Sequence, residues 1–161
     1  MFKVGDRAVY PTQGLGVIEA IEAREFSGEH NRFYVLRIVD SDMTIMVPVA
    51  NAEQVGLRTV IEREQVSSVY TMLEEKRDNS GAVASWSRRQ REYNEKIKSG
   101  DLLEVAQVLR DLYLIKEGKD LSYGEKKVLD LARRLLVKEL AFAEGRDEDQ
   151  VAERVESIFI N

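Results

Sequence analysis

Near residue 60 the hydrophobic pattern changes period, and that switch constrains the fold of this chain more than any other feature. Before it, apolar residues come in short alternating runs broken by turn signals; after it they recur three and four residues apart. Residues 7–10 make the first run. They lead into Pro11-Thr12-Gln13-Gly14, where proline presets φ and glycine permits φ > 0. Residues 16–25 alternate roughly, and Ser27-Gly28-Glu29 turns them into residues 33–39, a run rich in β-branched and aromatic side chains. Asp40-Ser41-Asp42 then turns the chain into residues 43–49, where Pro48 marks either an edge strand or a strand's end. Several short strands with no helix between them predict a small antiparallel barrel.

Helical spacing begins near Glu62 and runs to Glu75, with Val66, Val69 and Leu73 on one face. The polar, aperiodic stretch 76–81 reads as a linker. Three later helices carry start signals. Asp101-x-x-Glu104 fits a capping pair ahead of Leu102, Val105, Val108, Leu109 and Leu112. Ser122-x-x-Glu125 is a fuller capping box ahead of Val128, Leu131, Leu135 and Leu136, with Gly145 as the expected C-cap. Asp147-x-x-Gln150 opens the last helix, whose buried stripe is Val151, Val155, Ile158 and Phe159. The expectation is an α+β chain of two domains: a barrel over residues 1–60, a helix and linker over 61–82, and a compact all-helical bundle over 83–161.

With 161 residues the chain is long enough for two small domains, each marginal on its own. Hydrophobic residues at 43% and charged residues at 33% place it among globular rather than disordered chains. No apolar run approaches the roughly 18 residues of a membrane span, and no signal-peptide pattern opens the sequence. The absence of cysteine excludes disulfides, thiolate metal sites and cysteine nucleophiles, and a cytoplasmic location is expected. His30 is the only histidine and lies beside a turn, so a zinc site would need carboxylates almost alone. No nucleophile elbow, P-loop or dinucleotide fingerprint is present. No catalytic residue, metal or cofactor is therefore expected; a hydrolase built only of carboxylates is the distant alternative.

A net charge of −5 argues at first against nucleic acid, but its distribution is uneven. Residues 76–98 hold seven bases (Lys76, Arg77, Arg88, Arg89, Arg91, Lys96, Lys98) against three acids, whereas residues 99–161 hold ten bases against fourteen acids. Within the basic stretch lies Ser85-Trp86-Ser87-Arg88-Arg89-Gln90-Arg91, which contains the only tryptophan. On a helix Trp86, Arg89 and Tyr93 share a face, with Arg88 and Arg91 a turn apart on a neighbouring flank. Such arginines can straddle phosphates while a flat aromatic wedges against bases in the minor groove. On the residues alone, a solvated helix face whose tryptophan starts a bundle core is the better fit.

Over residues 2–160 the sequence resembles the CarD/CdnL family of bacterial transcription regulators. The matching motifs are Phe2-Lys3-Val4-Gly5-Asp6, Val9-Tyr10-Pro11-x-x-Gly14, Val47-Pro48 and Val55-Gly56-Leu57-Arg58 in the first half. In the second half they are Trp86-Ser87-Arg88-Arg89, Ser99-Gly100-Asp101, Arg110-Asp111-Leu112, Leu121-Ser122-x-Gly124-Glu125-Lys126 and Leu136-x-x-Glu139-Leu140. Each is weak alone; their order over the whole chain is specific.

The resemblance implies that the first half is a Tudor-like barrel, a module shared with the transcription-repair coupling factor. It would bind the RNA polymerase β subunit partly by pairing an edge strand with it. By position, Arg24 and the strand Met43, Thr44, Ile45, Met46, Val47 and Pro48 fall at that contact. Some members carry arginine where this chain has Met46, whose side chain would pack rather than pair. The resemblance further implies that the helical half meets promoter DNA at the upstream edge of the transcription bubble. There Trp86 would wedge into the minor groove and slow collapse of the open complex, with Arg88, Arg89, Arg91 and Lys126 as basic neighbours. DNA binding is expected to be weak and largely sequence-independent, made effective by the polymerase tether. The chain is expected to act as a monomer. The rival reading is a protein–protein adaptor that tethers a partner protein to polymerase without touching DNA.

Overall fold

A computed structural model describes residues 1–75 and 85–160. The chain divides into two units, Met1–Val60 and Ile61–Asn161. The linker expected at 76–81 lies outside the described residues.

The first unit holds β1 (Arg7–Tyr10), β2 (Gly14–Phe26), β3 (Glu29–Ile38) and β4 (Thr44–Pro48), followed by a 3-10 turn at Val49–Asn51. They form one antiparallel sheet in the order β1-β2-β3-β4. The β2–β3 connection is two residues long, Ser27 at φ 51° and Gly28 at φ 83°. Positive φ at both central positions is the hairpin turn whose twist matches the flanking strands, which is why a glycine stands there. A bulge between Ile18 and Ala20 leaves Glu19 unpaired with β3; such an extra residue bends a strand and increases its twist. Beyond β1 the chain returns through a bridge in which the Val9 N–H donates to the Arg58 carbonyl (2.7 Å) and the Arg58 N–H to the Val9 carbonyl (3.1 Å). The expected barrel is thus a half-barrel, extended at β1 and open at β4. Ala8, Ile18, Tyr34, Leu36, Ile38, Val47, Ala52 and Leu57 fill its core, and β3 alternates buried Tyr34, Leu36 and Ile38 with half-buried Phe33, Val35 and Arg37.

The second unit holds α1 (Arg63–Glu74), α2 (Trp86–Lys98), α3 (Leu102–Gly118), α4 (Tyr123–Glu144) and α5 (Glu148–Ile160). Helix α3 is the central element: Leu102, Val105, Ala106, Val108, Leu109 and Leu112 are buried, and it packs on α1, α2 and α4. Burial of each of these leucine and valine side chains contributes about 1.5–3 kcal/mol. The Val66, Val69, Tyr70 and Leu73 stripe of α1 joins the same core. The Ser122–Glu125 capping box forms with both reciprocal bonds, and Gly145 closes α4 in the left-handed region at φ 67°. At Asp101 the expected pair reduces to a simple cap, the carboxylate accepting from the Leu103 N–H at 2.9 Å. Two buried charged groups tie the bundle together. Glu139 accepts from the Ile61 N–H (2.9 Å), fixing the approach to α1. Arg110, 1% exposed, donates from one nitrogen to the Met72 carbonyl and to Glu75 at the end of α1, both at 3.1 Å.

Candidate functional surfaces

At β4, register and hydrogen bonding decide what the strand presents. Met43 accepts from the Ile38 N–H at 2.8 Å, and the register continues through Leu36↔Ile45 and Tyr34↔Val47. In an antiparallel ladder bonded pairs alternate with unbonded ones. The main-chain groups of Met43, Ile45 and Val47 therefore face β3, while those of Thr44 and Met46 face away, together with the Pro48 carbonyl. Val47, with Ile45 and Val49 beside it, anchors the strand in the half-barrel core, leaving Thr44, Met46 and Pro48 on the other face. That face is apolar in the middle, Met46 pairing across to Val35 and Pro48 to Phe33, and charged near Thr44, where Arg37 bonds Glu19 and Asp42. Pro48 ends the strand and β4 is the sheet's edge, so both sequence readings of that proline hold.

Arg24 is placed differently. It pairs with Asn31 in the β2–β3 hairpin, two residues past the row Glu22–Phe33–Pro48, or about 7 Å along the strands. It is exposed and bonded to Glu22 at 3.2 Å. Arg24 therefore lies beyond the Pro48 end of the edge, with Met43 at the other end.

In the helical unit Trp86 is the first residue of α2, behind Ser85, whose hydroxyl accepts from the Arg88 N–H. The expected face forms: Trp86 packs on Tyr93 (ring centroids 6.2 Å) and the Arg89 guanidinium lies 5.3 Å from the Trp86 ring centroid. The indole also lies against α4. A Cβ added at Gly124 would sit 3.1 Å from Trp86 Cζ2 and 3.2 Å from Nε1.

The basic residues separate into two kinds. Arg89, unlike Arg88 and Arg91, is buried and paired. It is 9% exposed and donates to Glu125, itself 2% exposed, at 3.1 Å. Burial works against the charge on Arg89, but hydrogen bonds to Tyr93 and Glu125 outweigh it and raise its pKa further. Burial likewise opposes ionisation of Glu125, yet bonds from Ser122 and Arg89 hold its carboxyl below the usual carboxylate range. Both partners are charged, and the second Glu125 oxygen accepts from the Ser122 N–H at 3.0 Å.

Arg88 and Arg91 are exposed. At 100° per residue they lie about 160° and about 140° round the axis from Trp86, on the far side of α2 rather than on a neighbouring flank. Arg88 makes a loose 3.7 Å pair with Glu92. Lys126 is exposed as well, but it lines a groove with Tyr113, Leu129 and Phe159, on the side of α4 away from Gly124. Lys127, stacked 5.3 Å over the ring of the exposed Tyr123, lies nearer the Gly124 flank.

Sequence reasoning missed Gly124 and Glu125 as parts of this surface. The capping box exposed the local role of Glu125, but its partner Arg89 is 36 residues away and no local pattern signals that pair. Among the described residues no group of three or more His, Cys, Asp or Glu is placed to hold a metal ion. No described helix is long and apolar enough to cross a membrane.

Two family models divide the chain. The CarD-like/TRCF RID domain matches residues 2–61, and the CarD C-terminal domain matches residues 68–156. The chain is 36% identical over 151 residues to the putative transcription factor YdeB of Bacillus subtilis (strain 168), covering 94% of this chain and 97% of that protein. Among solved structures it is similar to CdnLNt from Myxococcus xanthus. That match has 49% identity over 38% of this chain and 86% of that one, with a TM-score of 0.33.

Proposed function

This chain belongs to the CarD/CdnL family of transcription regulators, and on that premise we propose that it binds the RNA polymerase β subunit through β4 and stabilises the promoter open complex through Trp86. The observation that carries the reading is the basic, tryptophan-centred start of α2, with its indole half-exposed and held from below. The outward N–H and C=O groups of Thr44 and Met46 would take up a strand of the β subunit, with Ile45 and Val47 holding β4 flat from inside. Met43 and Pro48 bound this edge, and Arg24 adds a cation past the Pro48 end. At the DNA, Trp86 would insert at the upstream edge of the bubble. The exposed cations that would meet phosphates are Arg88 and Arg91, on the far side of α2 from the indole, and Lys126, on the groove side of α4. Few phosphate contacts on a chain of net charge −5 make binding to DNA alone weak, and the polymerase tether supplies the effective concentration.

The test is the lifetime of an open ribosomal-RNA-type promoter against a competitor, with and without the protein. A longer lifetime that falls roughly tenfold with Trp86→Ala is the expected result. No change despite demonstrated β-subunit binding would sink it. The adaptor reading is favoured by one observation, the burial of Arg89 in an ion pair, which removes a cation from the proposed DNA surface. Charge reversal of Arg88 and Arg91 separates the two, since it abolishes promoter crosslinking only where those residues face DNA.

A further inference from the structure

We propose that Gly124 and Glu125, at the start of α4, are positioning residues that seat Trp86 and set how far its indole projects. Trp86 stands at the very end of α2, where its own helix supports it on one side only. Two supports come from α2 itself and the third from α4. Tyr93, one helical repeat along, meets the ring at 6.2 Å, and the Arg89 guanidinium lies 5.3 Å from its centroid. Gly124 then supplies a backbone surface close enough that a methyl group would press on Cζ2 and Nε1 at 3.1 and 3.2 Å.

Glu125 sets this seat in register. One of its oxygens receives the Ser122 N–H and so fixes the first turn of α4; the other receives Arg89 and so fixes the guanidinium under the indole. A single buried carboxylate thus joins the cap of α4 to the support of Trp86, and Lys119 reaches the same carboxylate at 3.9 Å. Gly124 is not required by its backbone, since it carries no positive φ. Its lack of a side chain is explained by the indole that occupies the space.

That distinction makes the proposal testable apart from stability. Alanine is the better helix former, so Gly124→Ala does not weaken α4 through its backbone. It moves only what presses on the methyl group. Trp86 is the chain's single tryptophan, so its emission maximum and acrylamide quenching report on the seat alone. Gly118→Ala is the matched control, a helical glycine whose added Cβ would meet nothing within 4 Å.

In the full-length protein we expect Gly124→Ala to shift the emission and quenching of Trp86 while the thermal midpoint is held or raised. Gly118→Ala leaves both spectroscopic readings unchanged. Glu125→Gln, which keeps the shape of the acceptor but not its charge, shifts Trp86 in the same readings. Unaltered emission and quenching in Gly124→Ala overturn the proposal, whatever happens to function. The functional consequence rests on the reading that Trp86 meets promoter DNA, and a separate measurement tests it. Gly124→Ala should shorten open-complex lifetime about threefold, part of the loss expected of Trp86→Ala. A displaced indole with an unchanged lifetime would leave the seat standing and count against the wedge.

Discussion

The edge of β4 and the surface around Trp86 present chemistry in opposite ways. At β4 the presenting groups are main-chain N–H and C=O, while the side chains of Ile45 and Val47 only hold the strand. At Trp86 a side chain presents, and what holds it is a buried ion pair reaching across two helices. A backbone edge is insensitive to side-chain identity and acutely sensitive to the loss of a donor. A seated aromatic is the reverse, because its pose depends on particular neighbouring atoms.

The largest effect should come from breaking the support on the helical side. Glu125→Ala leaves the Arg89 guanidinium buried without its carboxylate and removes half of the α4 capping box. The helical unit should lose about 3–5 kcal/mol, since a buried pair that loses one partner strands the other. Urea unfolding followed by Trp86 emission measures this. A loss below about 1 kcal/mol would mean that Arg89 finds water instead.

The next largest is a pair of substitutions at one position of the other surface. The Met46 N–H points away from β3, so Met46→Pro spares the β3–β4 ladder and deletes an outward donor. Binding to the polymerase β subunit should weaken roughly tenfold, as a lost hydrogen bond with a stranded acceptor would produce. Met46→Ala keeps the donor and should stay within about threefold. If alanine costs as much as proline in a binding titration, the side chain carries the contact and the contrast between the two surfaces collapses.

Much of this was legible in the sequence because it is local. The period switch near residue 60, the Ser27-Gly28 turn, the Ser122–Glu125 box and the Gly145 cap are each written within a few residues, and the structure shows all of them. The shared face of Trp86, Arg89 and Tyr93 follows from helical spacing alone. Spacing already sets Arg89 on that face and Arg88 and Arg91 off it. What spacing could not supply was the buried carboxylate that pairs with Arg89, since Glu125 lies 36 residues away. The open half-barrel and the offset of Arg24 from β4 were hidden for the same reason, since register between strands is a long-range property.

The ion pair also sets a pH window for the helical side. Glu125 titrates lower in the folded protein than the about 4.3 of an unfolded glutamate. Its stabilisation is therefore complete above about pH 4.3 and is lost as pH falls through the lower folded value. Trp86 emission should stay constant from neutral pH down to about 5 and shift only in the acid limb. At the other end, burial and then the bond to Glu144 push Tyr70 up to about 12. That contribution is present below the ordinary tyrosine value of about 10 and is lost as pH rises through the folded one. A shift in Trp86 emission near pH 6 would show that Glu125 is not the carboxylate that holds the seat.

The smallest effects should come from the exposed arginines, and they test how the proposed DNA surface is divided. Arg88 is 76% exposed in its side chain and its 3.7 Å pair with Glu92 is too solvated to matter for folding. Arg88→Ala and Arg91→Ala should therefore leave the unfolding midpoint unchanged. If each meets one phosphate, each should also reduce by about one the slope of log affinity against log salt for promoter binding by the polymerase complex. Arg89→Ala should do the opposite, lowering stability because Glu125 is left buried without its partner, while the salt slope stays as it was. The three neighbouring arginines then form their own experiment. If Arg89→Ala lowers the slope as much as Arg88→Ala does, the buried pair must open on DNA, and the indole's support would be exchanged for a phosphate contact at the moment of binding.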